Sequence, residues 1–146
     1  MQLSKHFTLE EATFSYTATR EGLRNNIIDP DHLDNIKFTA DRMEEVRTLL
    51  WHHHIRVLSW YRTQAVNQIV GGSLTSAHMK GYAIDFICPK FGSPLECIKE
   101  IYSKIIYDQI ILEFDRWVHI SFDPQNRLEI LQIKNRFNGY KKLNLT

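Results

Sequence analysis

Ser76-Ala77-His78-Met79-Lys80-Gly81-Tyr82-Ala83-Ile84-Asp85-Phe86-Ile87-Cys88 carries both the fold and the chemistry of this chain. It passes from a polar segment holding a histidine, through a glycine that lets the chain turn, into a run of apolar residues. Ala83 to Cys88 reads as a buried strand. Asp85 is the anomaly within it. A carboxylate between Ile84 and Phe86 is costly to bury unless something positive meets it. A metal ion is one such partner and Arg62 is another.

The stretch Glu113-Phe114-Asp115-Arg116-Trp117-Val118-His119-Ile120-Ser121 repeats the anomaly, with His119 inside a second apolar run. Zinc accepts histidine nitrogen and aspartate oxygen, and a catalytic zinc keeps three protein ligands with a fourth place open. His78, Asp85 and His119 would fill those three places, leaving Glu113 free to take a proton from water. On spacing alone a second reading stands beside this one: the histidines are hydrogen-bonded core residues and Asp85 pairs with Arg62. The zinc reading also makes a geometric demand. Side chains alternate along a strand, so Glu113 and His119 share a face only if the loop between their strands is odd. A three-residue loop, Phe114-Asp115-Arg116, pairs Glu113 with Trp117 and Ile111 with His119. A two-residue Asp115-Arg116 turn puts Glu113 on the wrong face.

Working outward, Thr8 with Glu11 three residues later is a capping-box pattern, which predicts a short helix from Leu9, with Phe7 stapled onto Ala12. Tyr16 to Asn26 reads as a loop or short helix. After Asp29-Pro30, the apolar positions Leu33, Ile36, Ala40, Met43, Val46 and Leu50 mark one face of a helix reaching about Leu50. Ile55 to Trp60 reads as a strand, Ala65 to Val70 as a helical turn, and Leu95 to Ile106 as a helix. Gln109–Phe114, Trp117–Phe122 and Leu128–Ile133 read as strands. The polar tail from Arg136 to Thr146 is expected to be loosely ordered. The expected fold class is α+β: one domain over 1–146, a small antiparallel sheet with helices packed on one face.

Composition bounds the function. A hydrophobic share of 43% in 146 residues suits one domain with a core. The formal charge of +1, with no basic cluster, argues against nucleic acid as partner. No apolar run approaches the roughly 20 residues of a membrane span, and the first residues lack a secretory core. Synthesis in the cytoplasm without a signal peptide is therefore expected. Cys88 and Cys97 do not form a CxxC pair and read as reduced, buried residues. His52, His53 and His54 are adjacent and cannot converge on a metal; His6 and His32 read as surface residues. Phe14, Phe38, Phe91 and Tyr107 read as core.

The strings Ser59-Trp60-Tyr61-Arg62, Asn67, Val70-Gly71-Gly72-Ser73, Ser76-x-His78-x-x-Gly81-x-Ala83-x-Asp85 and Glu113 with Trp117-Val118-His119 occur in order. Together with Leu3-Ser4-x-His6-Phe7-Thr8-Leu9 they resemble the D-alanyl-D-alanine carboxypeptidase type of zinc peptidases, in its compact phage and bacterial branch. That family shares its metal-site scaffold with lysostaphin-type peptidases and hedgehog domains. The resemblance implies one Zn2+ per chain on His78, Asp85 and His119, with Glu113 as general base. Relatives that place the acid three residues before the last ligand have no counterpart here, since Arg116 stands there; Asp115 is the fallback base. Arg62 matches the arginine that contacts substrate near the metal, and Ser76 is a candidate substrate hydrogen-bonding residue. Trp60 replaces a glycine common in relatives and reads as core. The implied substrate is the peptidoglycan stem peptide, cut at a terminal D-Ala or internally. The implied setting is an endolysin released onto the cell wall or a hydrolase carried in a virion, with a monomer favoured. The rival from another class is a non-catalytic, zinc-containing cell-wall binding or structural module.

Overall fold

Thr8 opens the first helix, α1 (Leu9–Thr13), through the expected reciprocal cap: its hydroxyl accepts from the Glu11 N–H at 3.2 Å, and the Glu11 carboxylate accepts from the Thr8 N–H. Phe7 and Ala12 are both buried in the core. Residues 1–146 are described by a computed structural model. α2 (Tyr16–Glu21) is capped by Ser15 and ends at Gly22 in the left-handed conformation. α3 (Pro30–Leu49) begins after Asp29, as its Pro predicts, and buries Ile36, Ala40, Met43 and Val46 on the anticipated face. β1 (Arg56–Ser59), α4 (Gln64–Ile69), a 3-10 turn (Ala77–Lys80) and β2 (Ala83–Ile87) follow. α5 (Pro94–Ile101) starts with a second capping box, Ser93 with Glu96, and is shorter than the expected Leu95–Ile106. Beyond Tyr102 the chain turns with a Lys104 N–H bond to Ile101 O, while Ile105 still packs on the core.

β3 (Gln109–Glu113), β4 (Trp117–Ser121), β5 (Glu129–Ile133) and β6 (Tyr140–Lys142) complete a six-stranded open sheet in the order β1-β2-β4-β3-β5-β6. One side of the sheet presents Ile84, Phe86, Ile110, Leu112, Val118 and Ile120 to α3 and α5, forming the core with Ile36, Met43, Ile98 and Ile101. The helices thus cover one face, and the alternation of side chains puts Asp85, Glu113, Trp117 and His119 on the other. No helix is long and apolar enough to cross a membrane.

Three expectations need correction. The sheet is mixed rather than antiparallel, because β5 runs parallel to β3. β4 ends at Ser121 and β5 begins at Glu129, and both lie beside Gln109. β5 therefore runs opposite to β4, and so alongside β3. The C-terminal tail is not loose: β6 pairs antiparallel with β5, and Leu143 and Leu145 pack on the core. That pairing covers an edge that would otherwise offer unpaired backbone groups. Phe14 and Phe38 are exposed rather than core, at 50% and 47%, since Phe38 lies on the side of α3 away from Ile36 and Ala40. Tyr107 and Trp60 are buried as expected. Cys88 and Cys97 are free and buried, and burial pushes the Cys97 thiol up to about 12.

Candidate metal centre

Ser76 caps the 3-10 turn by accepting from the His78 N–H at 3.2 Å, so the polar segment before β2 folds tightly around its histidine. Gly81, at φ 86°, then redirects the chain into β2. Its carbonyl accepts from two buried donors, Thr39 Oγ1 at 2.9 Å and Trp60 Nε1 at 3.1 Å. Two strands meet at the centre: Asp85 of β2 lies directly opposite His119 of β4, which in turn lies opposite Ile111 of β3. The β3–β4 loop is the odd, three-residue one. Glu113 pairs with Trp117, and both face the same side as His119.

His78, Asp85 and His119 are each at least nine-tenths buried. Each offers a donor atom, and the three atoms lie within 4.8 Å of one another. Asp85 Oδ1 is 3.3 Å from His78 Nε2 and 2.9 Å from His119 Nδ1. His78 Nδ1 sits 2.6 Å from the Trp60 carbonyl, an acceptor, so this nitrogen carries the proton and Nε2 keeps its lone pair toward the centre. Two imidazoles and one carboxylate converging from a loop and two strands are a donor set that suits zinc. These residues can hold a metal ion.

The sequence pattern of the family Peptidase M15 matches residues 5–121, most of the chain and all three of these residues. The chain belongs to the peptidase M15 family. No curated protein gives a significant match. In this M15 chain the family and the His-Asp-His cluster together support a metallopeptidase site.

The other candidate site residues lie around the cluster. Glu113 Oε1 is 3.3 Å from His119 Nδ1. Arg62 donates to Asp85 Oδ2 at 3.5 Å and to Asn67 Oδ1 at 3.3 Å, so the arginine anticipated for Asp85 stands beside a cluster able to hold a metal ion. A cleft of roughly 1030 Å³ opens over the cluster, and Arg62, Ser76 and Glu113 line it. Asp115, the fallback base, is exposed in the β3–β4 turn and does not line the cleft. His52, His53 and His54 follow α3 and are not part of the cluster.

Electrostatics sort the groups. Burial pushes the Asp85 carboxyl up, but the neighbouring His78 and His119 imidazoles outweigh it and bring the group below the usual carboxylate range. Burial pulls His119 down, yet the Asp85 hydrogen bond and the charges of Asp85 and Glu113 leave it raised. Burial dominates at His78 and keeps its imidazole neutral to lower pH. Glu113 is pushed above the ordinary carboxylate range, first by burial and then by the charge of Asp85.

Three supports had no role assigned from sequence, although Asn67 stands among the strings that carry the resemblance. Asn25, buried, donates to Thr13 O and Tyr61 O and accepts from the Thr63 N–H, which fixes the backbone on both sides of Arg62. Asn67 holds Arg62 and donates to Ser73 O; a Cβ on Gly72 would come 2.1 Å from Asn67 Oδ1, so only glycine fits there. The Trp60 carbonyl sets the His78 tautomer. Backbone acceptors and single asparagines carry no periodic signal, which is why pattern reading passes over them.

Proposed function

We propose that this chain is a zinc peptidase that hydrolyses amide bonds of peptidoglycan stem peptides, with Glu113 as general base. The observation that carries the reading is Glu113 at 3.3 Å from a candidate metal ligand, on the same sheet face, at the floor of an open cleft. A zinc ion on His78, Asp85 and His119 supplies Lewis-acid chemistry, lowering the pKa of water and polarising a carbonyl. Glu113 accepts the proton of the attacking water and returns it to the leaving amine. Arg62, pinned by Asn67 and Asp85, directs positive charge toward the developing oxyanion. The Ser76 hydroxyl accepts from the His78 N–H and keeps its own proton free to donate to substrate.

Stem peptides as substrate and one zinc per chain follow from the motif resemblance; action on the cell wall in phage lysis or from a virion, and a monomeric state, belong to this proposal beside them. The test measures bound metal and muropeptide cleavage on the wild type and on Glu113→Ala. One zinc in both proteins, with kcat in the variant lower by roughly 10²–10⁴, is the expected result. Zinc without cleavage of any cell-wall substrate by the wild type would instead assign a binding module. Loss of zinc in the variant would make Glu113 a ligand and overturn its role as base.

A further inference from the structure

The family match ends at residue 121, yet the chain beyond it builds one wall of the cleft. Trp117, Glu113, Ile133 and Tyr140 stand opposite one another across β4, β3, β5 and β6. Side chains in such a row share a face, so Tyr140 stands on the site face two strands beyond Glu113. Its hydroxyl is pushed up by burial and then by the charges of Glu113 and Asp85, as expected of a neighbour of the centre.

From the β5–β6 connection, Arg136 reaches back to the loop after α4. Its guanidinium donates to the Val70 carbonyl at 3.4 Å, and its Nη1 is 3.0 Å from where a Cβ on Gly71 would lie. Gly71, at φ 72°, thus leaves room for the guanidinium. The two segments so joined carry the two most exposed large apolar side chains, Leu74 at 91% and Phe137 at 99%.

Four basic side chains besides the histidines line the cleft: Arg62, Lys80, Arg127 and Arg136. Asp85 holds Arg62, while Asp108 and Glu129 hold Arg127. Arg136 has no carboxylate partner, and its one hydrogen bond is long. Lys80 is also without one, but it shares a second, shallow cleft with Asp31 and Asp123 and offers a point charge rather than a planar fork. A guanidinium with spare parallel donors, facing a peptide-sized cleft, matches a carboxylate.

We propose that Arg136 is a specificity-determining residue that binds a carboxylate of the peptide substrate, so that the cleft takes peptides with a free carboxylate near the bond to be cut. This rests on the peptidase reading. The carboxylate has two possible sources, the peptide's C-terminus or an acidic side chain, and amide analogues separate them.

The experiment uses the full zinc-loaded chain carrying Glu113→Gln, so that peptides bind without turnover. A stem pentapeptide ending in D-Ala-D-Ala is titrated by calorimetry as the free acid, as the C-terminal amide, and with glutamine in place of its glutamate. Arg136→Ala weakens free-acid binding at least tenfold, and Arg136→Lys restores part of it. Against the analogue lacking the recognised carboxylate, Arg136→Ala changes affinity less than twofold. With Glu113 intact, the same preference appears mainly in KM. Equal weakening toward all three peptides, an unchanged affinity for all of them, or no binding of any of them overturns the proposal. Arg136-dependent binding by a wild type that cleaves nothing would sink the peptidase reading and leave the carboxylate site standing. Hydrolysis without Arg136 dependence does the reverse.

Discussion

His78 reaches the centre only because the turn behind it is held from both sides. Ser76 accepts its N–H, Trp60 fixes its tautomer, and Gly81 ends the turn at a φ that side chains rarely adopt. A Cβ at Gly81 would stand 2.6 Å from Ile36 Cγ1 and 3.0 Å from the His32 carbonyl. Gly81→Ala therefore combines left-handed strain with a clash against α3, and is expected to cost roughly 2–4 kcal/mol in urea denaturation. It should also weaken zinc binding, because the shift moves His78; an unchanged midpoint and full zinc content would show that the turn is looser than its contacts imply. At the same scale, Asp85 shows how a buried carboxylate is tolerated: Arg62 meets one of its oxygens and His119 the other.

The β3–β4 hairpin decides which face the base occupies. Phe114 and Asp115 both adopt positive φ, at 57° and 56°, so the chain reverses in three residues and returns Glu113 and His119 to one side. The next connection is pinned by a different pair. Asp108, just before β3, accepts from the Arg127 backbone N–H at 3.0 Å, from its Nε at 2.9 Å and from its Nη2 at 2.7 Å. Burial pushes the Asp108 carboxyl up, but these bonds outweigh it and bring it below the usual range. Since the folded value lies below the unfolded one, the pair stabilises fully above the ordinary aspartate pKa, and that stability is lost as pH falls through the folded value. Asp108→Asn is accordingly expected to cost about 1–2 kcal/mol at neutral pH. In denaturation curves at falling pH the gap to wild type should close below about pH 4; a gap that persisted in acid would assign the effect to packing.

Across the whole molecule, the metal site joins elements that are far apart in the chain: the turn before β2, β2 itself and β4. An ion bound to that junction stabilises only the folded state. At a hundredfold excess over its dissociation constant it adds about 2.7 kcal/mol, which for a chain of this size is roughly 5–10 °C in Tm. Calorimetric melting with added zinc and after chelation checks this. A Tm indifferent to both would contradict a metal centre at His78, Asp85 and His119, whatever the enzyme assay shows.

What the sequence determined by itself was local or periodic. The Thr8–Glu11 cap, the start of α3 at Pro30 and the strand around Asp85 could be read because each depends on residues close in the chain, whereas the odd β3–β4 loop followed only from the demand that Glu113 and His119 share a face. The His78–Asp85–His119 set was legible in spacing and resemblance together, since polar groups inside apolar runs are rare and must be explained. Only the tertiary structure decided the rest. That β5 lies parallel to β3, that β6 covers its edge, and that Arg136 crosses to Gly71 depend on how strands pair at long range, which no local pattern encodes. The roles of Asn25 and the Trp60 carbonyl became visible for the same reason: each acts through hydrogen bonds between segments distant in sequence, and such bonds exist only once the core has brought those segments together.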